Sequence, residues 1–206
     1  MQEKGIRIVA KIPSETPSLG DLSYRLKERP PAGASGRTML ESPPESRIVF
    51  SPKELMDALG GIIPELGKYA YDDPGSREGV FVLNRMVGGL PMFDIHLDLY
   101  NSEQKIQAYR QDIIQLLDAD VTRGQKVLPA SKALAPLIEN YLPANSVIKD
   151  IRLGYHGQIF PETEMQVSVP QWRVLLENGE VYYVHAISAE VTTEKGDATQ
   201  TPSSAK

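Results

Sequence analysis

Hydrophobic and polar residues alternate most regularly between residues 148 and 191, as they do in half-buried β-strands. We predict three antiparallel strands here, and each has its own inward positions. These are Ile148, Ile151 and Leu153; Met165, Val167 and Val169; and Trp172, Val174 and Leu176. The turn at 177–179 contains Asn and Gly, which tolerate positive φ, so residues 171–176 are predicted to fold back on 180–187. Pro170 cannot donate a ladder hydrogen bond, which places it at a strand start, an edge or a bulge.

Two segments have helical spacing instead. The first begins at Ser51, where Pro52 and Glu54 complete a capping box, and it is expected to end near Lys68 after a kink or split at Gly60-Gly61 and Pro64. The second runs from about residue 130 to 142. Its apolar face comprises Leu134, Leu137, Ile138 and Tyr141.

Three further strands are predicted between the two helices, at 79–87, 90–101 and 105–117. The glycine pair at 88–89 suits a two-residue hairpin turn between the first two. The spacing in 105–117 slightly favours a helix, and the strand interpretation adopted here rests on the family resemblance described below.

These elements predict an α+β fold with two helix-plus-antiparallel-sheet units in tandem. Residues 1–50 are predicted to form an extended, proline-rich arm with short strands, including one at 47–50. The first unit covers 51–120 and the second covers 121–191. Residues 192–206 have almost no apolar side chains and are predicted to be a disordered tail.

Composition excludes several classes of function. The 206 residues include 22 basic and 27 acidic side chains, a net charge of −5, so nucleic acid is not expected as a partner. There are no cysteines, and thiolate nucleophiles, disulfides and cysteine-bound metals are therefore excluded. The sequence has no apolar run of 18 residues. It begins directly in a strand pattern, so a preceding segment is expected to be missing from this chain.

One strand carries a possible metal site. Asp94, His96 and Asp98 alternate along residues 90–101, and a strand places alternate side chains on one face. The alternative is that they form the solvated face of an amphipathic strand. Because same-side neighbours lie about 7 Å apart, the solvated-face interpretation is preferred and no metal is predicted. The opposite, buried face would consist of Phe93, Ile95, Leu97 and Leu99.

Other candidate chemistry is sparse. His156 and His185 are isolated in strands, and neither an HExxH nor a GxSxG motif is present, so no catalytic residue or cofactor is predicted. Four aromatic residues could form a ligand-stacking platform or belong to the core, and the core interpretation is preferred. They are Tyr155, Trp172, Tyr182 and Tyr183. Alternation predicts that one of the last two tyrosines is at least partly exposed.

Three motifs carry a family resemblance: IRLGYH at 151–156, VPQWRV at 169–174 and GEVYYVHAISAEV at 179–191. They resemble the C-terminal signature of the YycI family. GGLPMFD at 88–94, YRQDIIQLL at 109–117 and the segment 130–151 are similar to its upstream elements, so the resemblance covers about residues 5–191 in order. The signature residues are Leu153, Gly154, Tyr155, Pro170, Trp172, Arg173, Gly179, Tyr182, Tyr183 and Ala186, and their role is expected to be structural.

The chain departs from the family pattern at two positions. His185 stands where the family usually has Asn, and Ala189 where it usually has Gly. If residue 189 has positive φ, Ala costs about 1 kcal/mol there. The family's N-terminal transmembrane helix is also absent from this sequence.

The resemblance implies a non-enzymatic regulator that is held on the extracytoplasmic face of a Gram-positive cell membrane by one N-terminal helix. Family members act with the related protein YycH on the WalK (YycG) sensor histidine kinase, part of a two-component system that controls cell-wall metabolism. The C-terminal unit also resembles a PepSY module, so a peptide-binding or peptidase-inhibiting role is the alternative. We expect partner contacts on the proline-rich arm or the exposed side of the 93–101 strand. A peptide-binding module would instead have an open groove or a free sheet edge near Trp172 and Tyr183.

Overall fold

The structure, a computed structural model, describes residues 4–117, 124–160 and 162–193. Within these ranges the protein is mostly β, with two short helices, α1 (Pro52–Leu59) and α2 (Ala130–Pro136). Helix α2 continues as a π-helical turn at Leu137–Tyr141. The strands are, in chain order, β1 (Arg7–Ile8), β2 (Ser18–Leu19), β3 (Leu22–Glu28), β4 (Thr38–Met39), β5 (Tyr69–Tyr71), β6 (Val80–Val87), β7 (Leu90–Ser102), β8 (Lys105–Gln111), β9 (Ile113–Leu116), β10 (Gln125–Lys126), β11 (Val147–His156), β12 (Met165–Leu176), β13 (Val181–His185) and β14 (Val191–Thr193).

The chain divides into two compact units, each built from segments that are distant in sequence. The terminal unit comprises Met1–Ser18, Gln125–Leu153 and Gln171–Lys206, and the central unit comprises Leu19–Gly124 and Gly154–Pro170. This division does not follow the tandem boundaries that the sequence predicts. Strands β11 and β12 each contribute residues to both units.

The terminal unit contains parallel and antiparallel pairs. β1 runs parallel to β11, with Arg7 opposite Val147, and β12 and β13 form an antiparallel hairpin in which Trp172 faces Val184. Gly179 has φ +86° in the connecting turn, which confirms the predicted hairpin. The buried side chains of this unit include Leu134, Leu137, Ile138, Ile148, Ile151, Trp172, Val174, Tyr183 and Val184.

The central unit is organised around the long β6–β7 hairpin. Gly88 and Gly89 both have positive φ in its turn, and β7 pairs with β8 on its other edge. Helix α1 packs on this sheet. As predicted, the Ser51 hydroxyl accepts a hydrogen bond from the Glu54 N–H at 3.4 Å. The core here comprises Leu40, Ile48, Val49, Leu55, Leu59, Ile63, Leu66, Tyr69, Leu83, Leu97, Leu99 and Ile106.

A second part of the central unit brings β3 between β12 and β9. Ser23 pairs with Val167, and Tyr24 pairs with Leu116. The end of β11 runs parallel to β7 at Tyr155 and Met92. The sheets are therefore mixed, whereas the sequence predicted antiparallel sheets only. The core of this part comprises Tyr24, Met92, Ile95, Ile114 and Tyr155.

The structure tests three of the strand predictions: it confirms one and corrects two. Residues 105–117 form strands β8 and β9, so the strand interpretation is confirmed. The predicted strand at 47–50 is wrong, because Ser46–Phe50 is a 3-10 helix that leads into the cap of α1. The two predicted strands on either side of Pro170 are a single strand, β12. Its proline lies between the segment that pairs with β3 and the segment that pairs with β13.

The burial pattern of β12 is the reverse of the predicted one in its first half. Met165 and Val167 are exposed, while Gln166 and Ser168 are buried. The Gln166 side chain bonds to the backbone N–H and C=O of Phe160 at 2.9 and 2.7 Å, and these bonds compensate its burial. Local alternation identified the strand but not the face that would be covered.

No helix in the described ranges is long and apolar enough to cross a membrane. The predicted tail begins at residue 192, and Val191–Thr193 forms β14, paired with β13. The rest of the tail, 194–206, lies outside the described residues.

Candidate functional site

The family-signature residues of the terminal unit lie mostly inside it. The Trp172 indole N–H donates to the Leu128 carbonyl at 3.2 Å, and the Arg173 guanidinium contacts the Asp150 carboxylate at 3.3 Å. Tyr183 is buried and Tyr182 is half-buried, which confirms the predicted difference between them. Leu153 and Ala186 are also buried. Trp172 and Tyr183 are therefore core residues of the terminal unit, as the preferred interpretation of the aromatic residues predicted.

The turn after β13 contains both departures from the family pattern. Ala189 has φ +61°, so it adopts the left-handed conformation that the family's usual glycine suits. The His185 Nδ1 accepts hydrogen bonds from the N–H groups of Ile187 and Ser188 at 3.3 and 3.1 Å. An asparagine carboxamide oxygen can accept the same kind of bond, so His185 takes over a turn-capping role.

The signature residues of the central unit are buried beside β7. Gly154 lies against Phe93 and the Pro91 carbonyl, and Tyr155 follows in the core. Pro170 is buried at the end of this unit's part of β12. Gly154 is needed at this position because a side chain would collide with Phe93.

The carboxylate of Asp94 is the centre of a buried polar cluster. It accepts hydrogen bonds from the Tyr24 hydroxyl at 3.2 Å and the Ser168 hydroxyl at 3.3 Å. The His156 Nδ1 lies 3.9 Å from its other oxygen. We call Asp94, Tyr24, Ser168 and His156 the Asp94 cluster. Sequence analysis missed it because its members come from four strands and share no motif.

Burial controls the protonation of the Asp94 cluster. Burial raises the pKa of Asp94 to about 6, despite the hydrogen bonds from Tyr24 and Ser168 to its charged form. Burial also lowers the pKa of His156 to about 4, with a smaller contribution from nearby His96. At neutral pH, Asp94 is therefore mostly ionised and His156 is neutral.

A second buried carboxylate, Asp112, lies between two guanidinium groups. Arg110 contacts it at 3.2 Å and Arg29 at 3.7 Å, while the His96 backbone N–H donates to it at 3.3 Å. Arg110 also approaches Asp98, at 3.7 Å. Burial raises the pKa of Asp112, and the two arginines oppose that rise.

The prediction that Asp94, His96 and Asp98 form a solvated strand face is wrong for the two carboxylates, which are both buried. The reason is tertiary, because β3 and β12 cover Asp94, and Arg110 covers Asp98. The His96 ring contacts the Phe93 carbonyl instead of either carboxylate. In the part of the chain that the structure describes, no group of three His, Asp or Glu side chains could hold a metal ion.

Neither cluster is arranged for nucleophilic catalysis. The Ser168 side chain is fully buried, and its hydroxyl donates to the Asp94 carboxylate instead of a histidine. A serine nucleophile needs a base within hydrogen-bond reach and a path for substrate. In the Asp94 cluster, the hydrogen bonds from Tyr24 and Ser168 to the Asp94 carboxylate connect β3, β12 and β7.

The surface of the central unit has a charged cleft along β9. Its volume is about 410 Å³, and we call it the β9 cleft. Three basic side chains and one acidic side chain line it together with all four residues of β9. The lining comprises Lys27, Glu65, Lys68, Arg85, Ile113, Ile114, Gln115 and Leu116.

A cluster of three aromatic rings lies elsewhere on the central unit. The Phe50 ring meets Tyr71 and Phe81 edge to face, with centroid distances of 5.5 and 5.8 Å. Phe50 is 63% exposed, which is unusual for so large an apolar side chain. By contrast, the side of the 93–101 strand on which partner contacts were expected is mostly covered, since Asp94 and Asp98 are buried and His96 is half-buried.

Comparisons with known proteins identify the family to which this chain belongs. A family model described as YycI protein matches residues 46–187. A comparison with curated protein sequences found no match. Among solved structures, the chain is similar to an uncharacterized protein from Eubacterium rectale, with 17% identity and a TM-score of 0.38. That alignment covers 64% of this chain and 41% of the other, so this chain spans less than half of that protein, and the likeness carries no argument. Because the family match covers more than half of the sequence, the chain belongs to the YycI protein family.

Proposed function

We propose that this chain is the extracytoplasmic part of a non-enzymatic regulator of the WalK (YycG) sensor histidine kinase, acting together with a YycH-like protein. Membership of the YycI family implies a YycG-associated regulator, and the match over residues 46–187 is the observation that carries the proposal. In the full-length protein, one N-terminal helix anchors the domain to the membrane of a Gram-positive cell. The regulated two-component system controls cell-wall metabolism.

The regulator acts by binding one signalling state of the kinase better than the other. A ligand shifts an equilibrium only by its differential affinity for the two states, and a tenfold preference corresponds to about 1.4 kcal/mol. Such binding needs an exposed surface and no catalytic group. The central unit offers the exposed aromatic ring of Phe50 and the β9 cleft.

The experiment is calorimetric titration of this chain with the extracytoplasmic portions of YycH and of the YycG kinase from the same organism. We expect saturable binding to at least one of them, with a Kd of micromolar or below. No heat with either domain, at concentrations well above micromolar, would overturn the proposal for this part of the protein.

Two exposed phenylalanines allow a matched surface comparison. Phe50 belongs to the aromatic cluster, whereas Phe160 is also exposed but forms no ring contact within the described residues. Aromatic side chains often dominate interface energies. We expect Phe50→Ser to weaken partner binding at least tenfold and Phe160→Ser to leave it within twofold. Equal effects of the two substitutions would exclude the aromatic cluster as the contact surface.

The alternative is a PepSY-like module that binds peptides or inhibits a peptidase. The tandem arrangement of two helix-plus-sheet units, with a PepSY-like second unit, stays a prediction. Because Trp172 and Tyr183 are buried, a peptide site in the terminal unit would have to use backbone groups at a sheet edge, not these two side chains. Saturable binding of an extended peptide without binding of YycH or YycG would favour this function over the regulator.

A further inference from the structure

Strand β9 lies at the edge of its sheet. Among the residues that the structure describes, β9 pairs with β3 only. The Leu117 N–H donates to the Ser23 carbonyl at 3.0 Å, and antiparallel bonds alternate along a strand. Gln115 therefore also points its backbone groups to β3, while Ile114 and Leu116 point theirs to the opposite edge. This is the geometry that accepts an added strand.

The β9 cleft is lined by all four residues of β9, together with side chains from β3, from β6 and from the segment 65–68. Successive side chains of a strand point to opposite faces, so Ile113 and Gln115 lie on one face and Ile114 and Leu116 on the other. Residues from both faces of β9 line the cleft, and Lys27 of the paired strand β3 lines it as well. Its volume of about 410 Å³ is in the range that accepts a few residues of a ligand.

The charges around the cleft select for an acidic occupant. The Glu65 carboxylate contacts Lys68 Nζ at 2.6 Å and Arg85 Nη1 at 2.8 Å, and Lys27 adds a third cation. Three cations against one carboxylate leave two positive charges in excess (3 − 1 = 2), although the whole chain has a net charge of −5. A negatively charged segment would be attracted to this cleft.

Arg85 provides an independent indication of a ligand. Its side chain is only 6% exposed, yet its Nε has no hydrogen-bond partner among the described residues. A buried donor without an acceptor is uncommon in folded proteins. Arg85 lines the cleft, so its guanidinium is the buried cation nearest to an acidic ligand bound there.

We propose that the β9 cleft binds an extended acidic segment of a partner protein, which adds to β9 as a further strand. The backbone of the segment pairs with the N–H and C=O groups of Ile114 and Leu116. Its acidic side chains interact with Arg85, Lys27 and Lys68. That the segment belongs to a regulatory partner rests on the proposed function, whereas the binding site itself does not.

The test uses a peptide probe with the whole chain, labelled with ¹⁵N for NMR. The probe is an octapeptide that alternates valine and glutamate, acetylated and amidated at its ends. We expect saturable shift changes at the Ile114 and Leu116 amides. A matched peptide that alternates valine and lysine is expected to bind at least tenfold more weakly.

Substitutions separate the backbone contribution from that of the side chains. Leu116→Pro removes an N–H that points to the open edge and is expected to weaken binding of the glutamate peptide at least tenfold. Leu116→Ala keeps that N–H, and its affinity for the glutamate peptide is expected to stay within threefold of the wild-type value. The double variant Lys27→Glu/Lys68→Glu changes two exposed side chains, so it tests the charge requirement even if the proline variant does not fold. Its affinity for the glutamate peptide is also expected to fall at least tenfold.

Several results would overturn the proposal. These are no saturable shifts at β9, equal binding of the two peptides, or unchanged binding by the charge-reversed variant. Free glutamate or inorganic phosphate that competes with the peptide at equal affinity would show a small-anion site instead of strand addition. Peptide binding without binding of YycH or YycG would retain the cleft and reject the proposed regulator. Binding of YycH or YycG without peptide binding would support the proposed regulator and reject the β9 cleft as a strand-binding site.

Discussion

Gly154 lies so close to Phe93 that a β-carbon on the glycine would be 2.5 Å from Cε2 of the ring. The same β-carbon would be 2.5 Å from the Pro91 carbonyl oxygen. Both distances are far shorter than van der Waals contact. β11 and β7 pair here through Tyr155 and Met92, so only a glycine allows the two strands to approach.

Replacement of Gly154 by alanine should therefore destabilise the central unit. We expect Gly154→Ala to reduce the free energy of unfolding by about 2–4 kcal/mol, since either the Phe93 ring or the backbone must move. Urea unfolding followed by circular dichroism measures this. Gly61→Ala is the control, because nothing lies within 4 Å of its β-carbon position, and it should change stability by less than about 1 kcal/mol. Similar losses for the two variants would contradict the steric explanation.

The turn after β13 should become more stable with a glycine. Ala189 has φ +61°, and this left-handed conformation costs an L-residue about 1–2 kcal/mol of conformational free energy. Glycine avoids that cost, but its greater flexibility in the unfolded chain offsets part of the gain. We expect Ala189→Gly to stabilise the protein by about 0.5–1 kcal/mol in thermal or urea unfolding. Gly179→Ala is the reverse substitution at φ +86° and should destabilise by a similar amount. A destabilised Ala189→Gly variant would show that the alanine methyl makes a compensating contact.

The Asp94 carboxyl should make stability depend on pH. Its pKa is raised from 3.8 to about 6, so between these values the folded chain holds a proton that the unfolded chain has released. This contribution to stability therefore decreases as pH rises from about 4 to 6, by about 2–3 kcal/mol. The lowered pKa of His156 acts in the opposite direction, because below pH 6.5 the unfolded chain takes up a proton that the folded chain does not.

Substitution of Asp94 by asparagine removes the titrating carboxyl, while His156 is present in both proteins. As pH rises from 4 to 6.5, the free energy of unfolding of Asp94→Asn is expected to increase by about 2–3 kcal/mol relative to that of the wild type. Urea unfolding at four or five pH values measures the difference. A constant difference across this range would mean that Asp94 titrates in the folded chain as it does in the unfolded one.

Removing only one partner of the contact between Arg173 and Asp150 should lower the free energy of unfolding. The Arg173 side chain is 6% exposed and the Asp150 side chain 22%. Asp150→Ala removes a carboxylate that compensates a buried guanidinium and is expected to cost about 2–4 kcal/mol. The double variant Asp150→Ala/Arg173→Met should be more stable than Asp150→Ala alone. If the two substitutions are additive in urea unfolding, the ion pair contributes no coupling.

The sequence determined those features that depend on neighbouring residues. The Ser51 cap, the glycine turns at 88–89 and 177–179 and the existence of the long strands were all predicted, because φ preferences, capping and alternation are local. The family was also predicted from ordered motifs. The segment at 47–50 was not, since a short apolar run suits a strand and a 3-10 turn equally well.

Only the tertiary structure decided which faces are covered and which edges stay open. Met165 and Val167 are exposed and Ser168 is buried because Asp94, more than seventy positions earlier, holds the serine hydroxyl. The β9 cleft joins residues from β3, β6 and β9, and no local pattern links them. Alternation specifies two faces of a strand, whereas burial depends on what packs against each face, and that is set by contacts between distant parts of the chain.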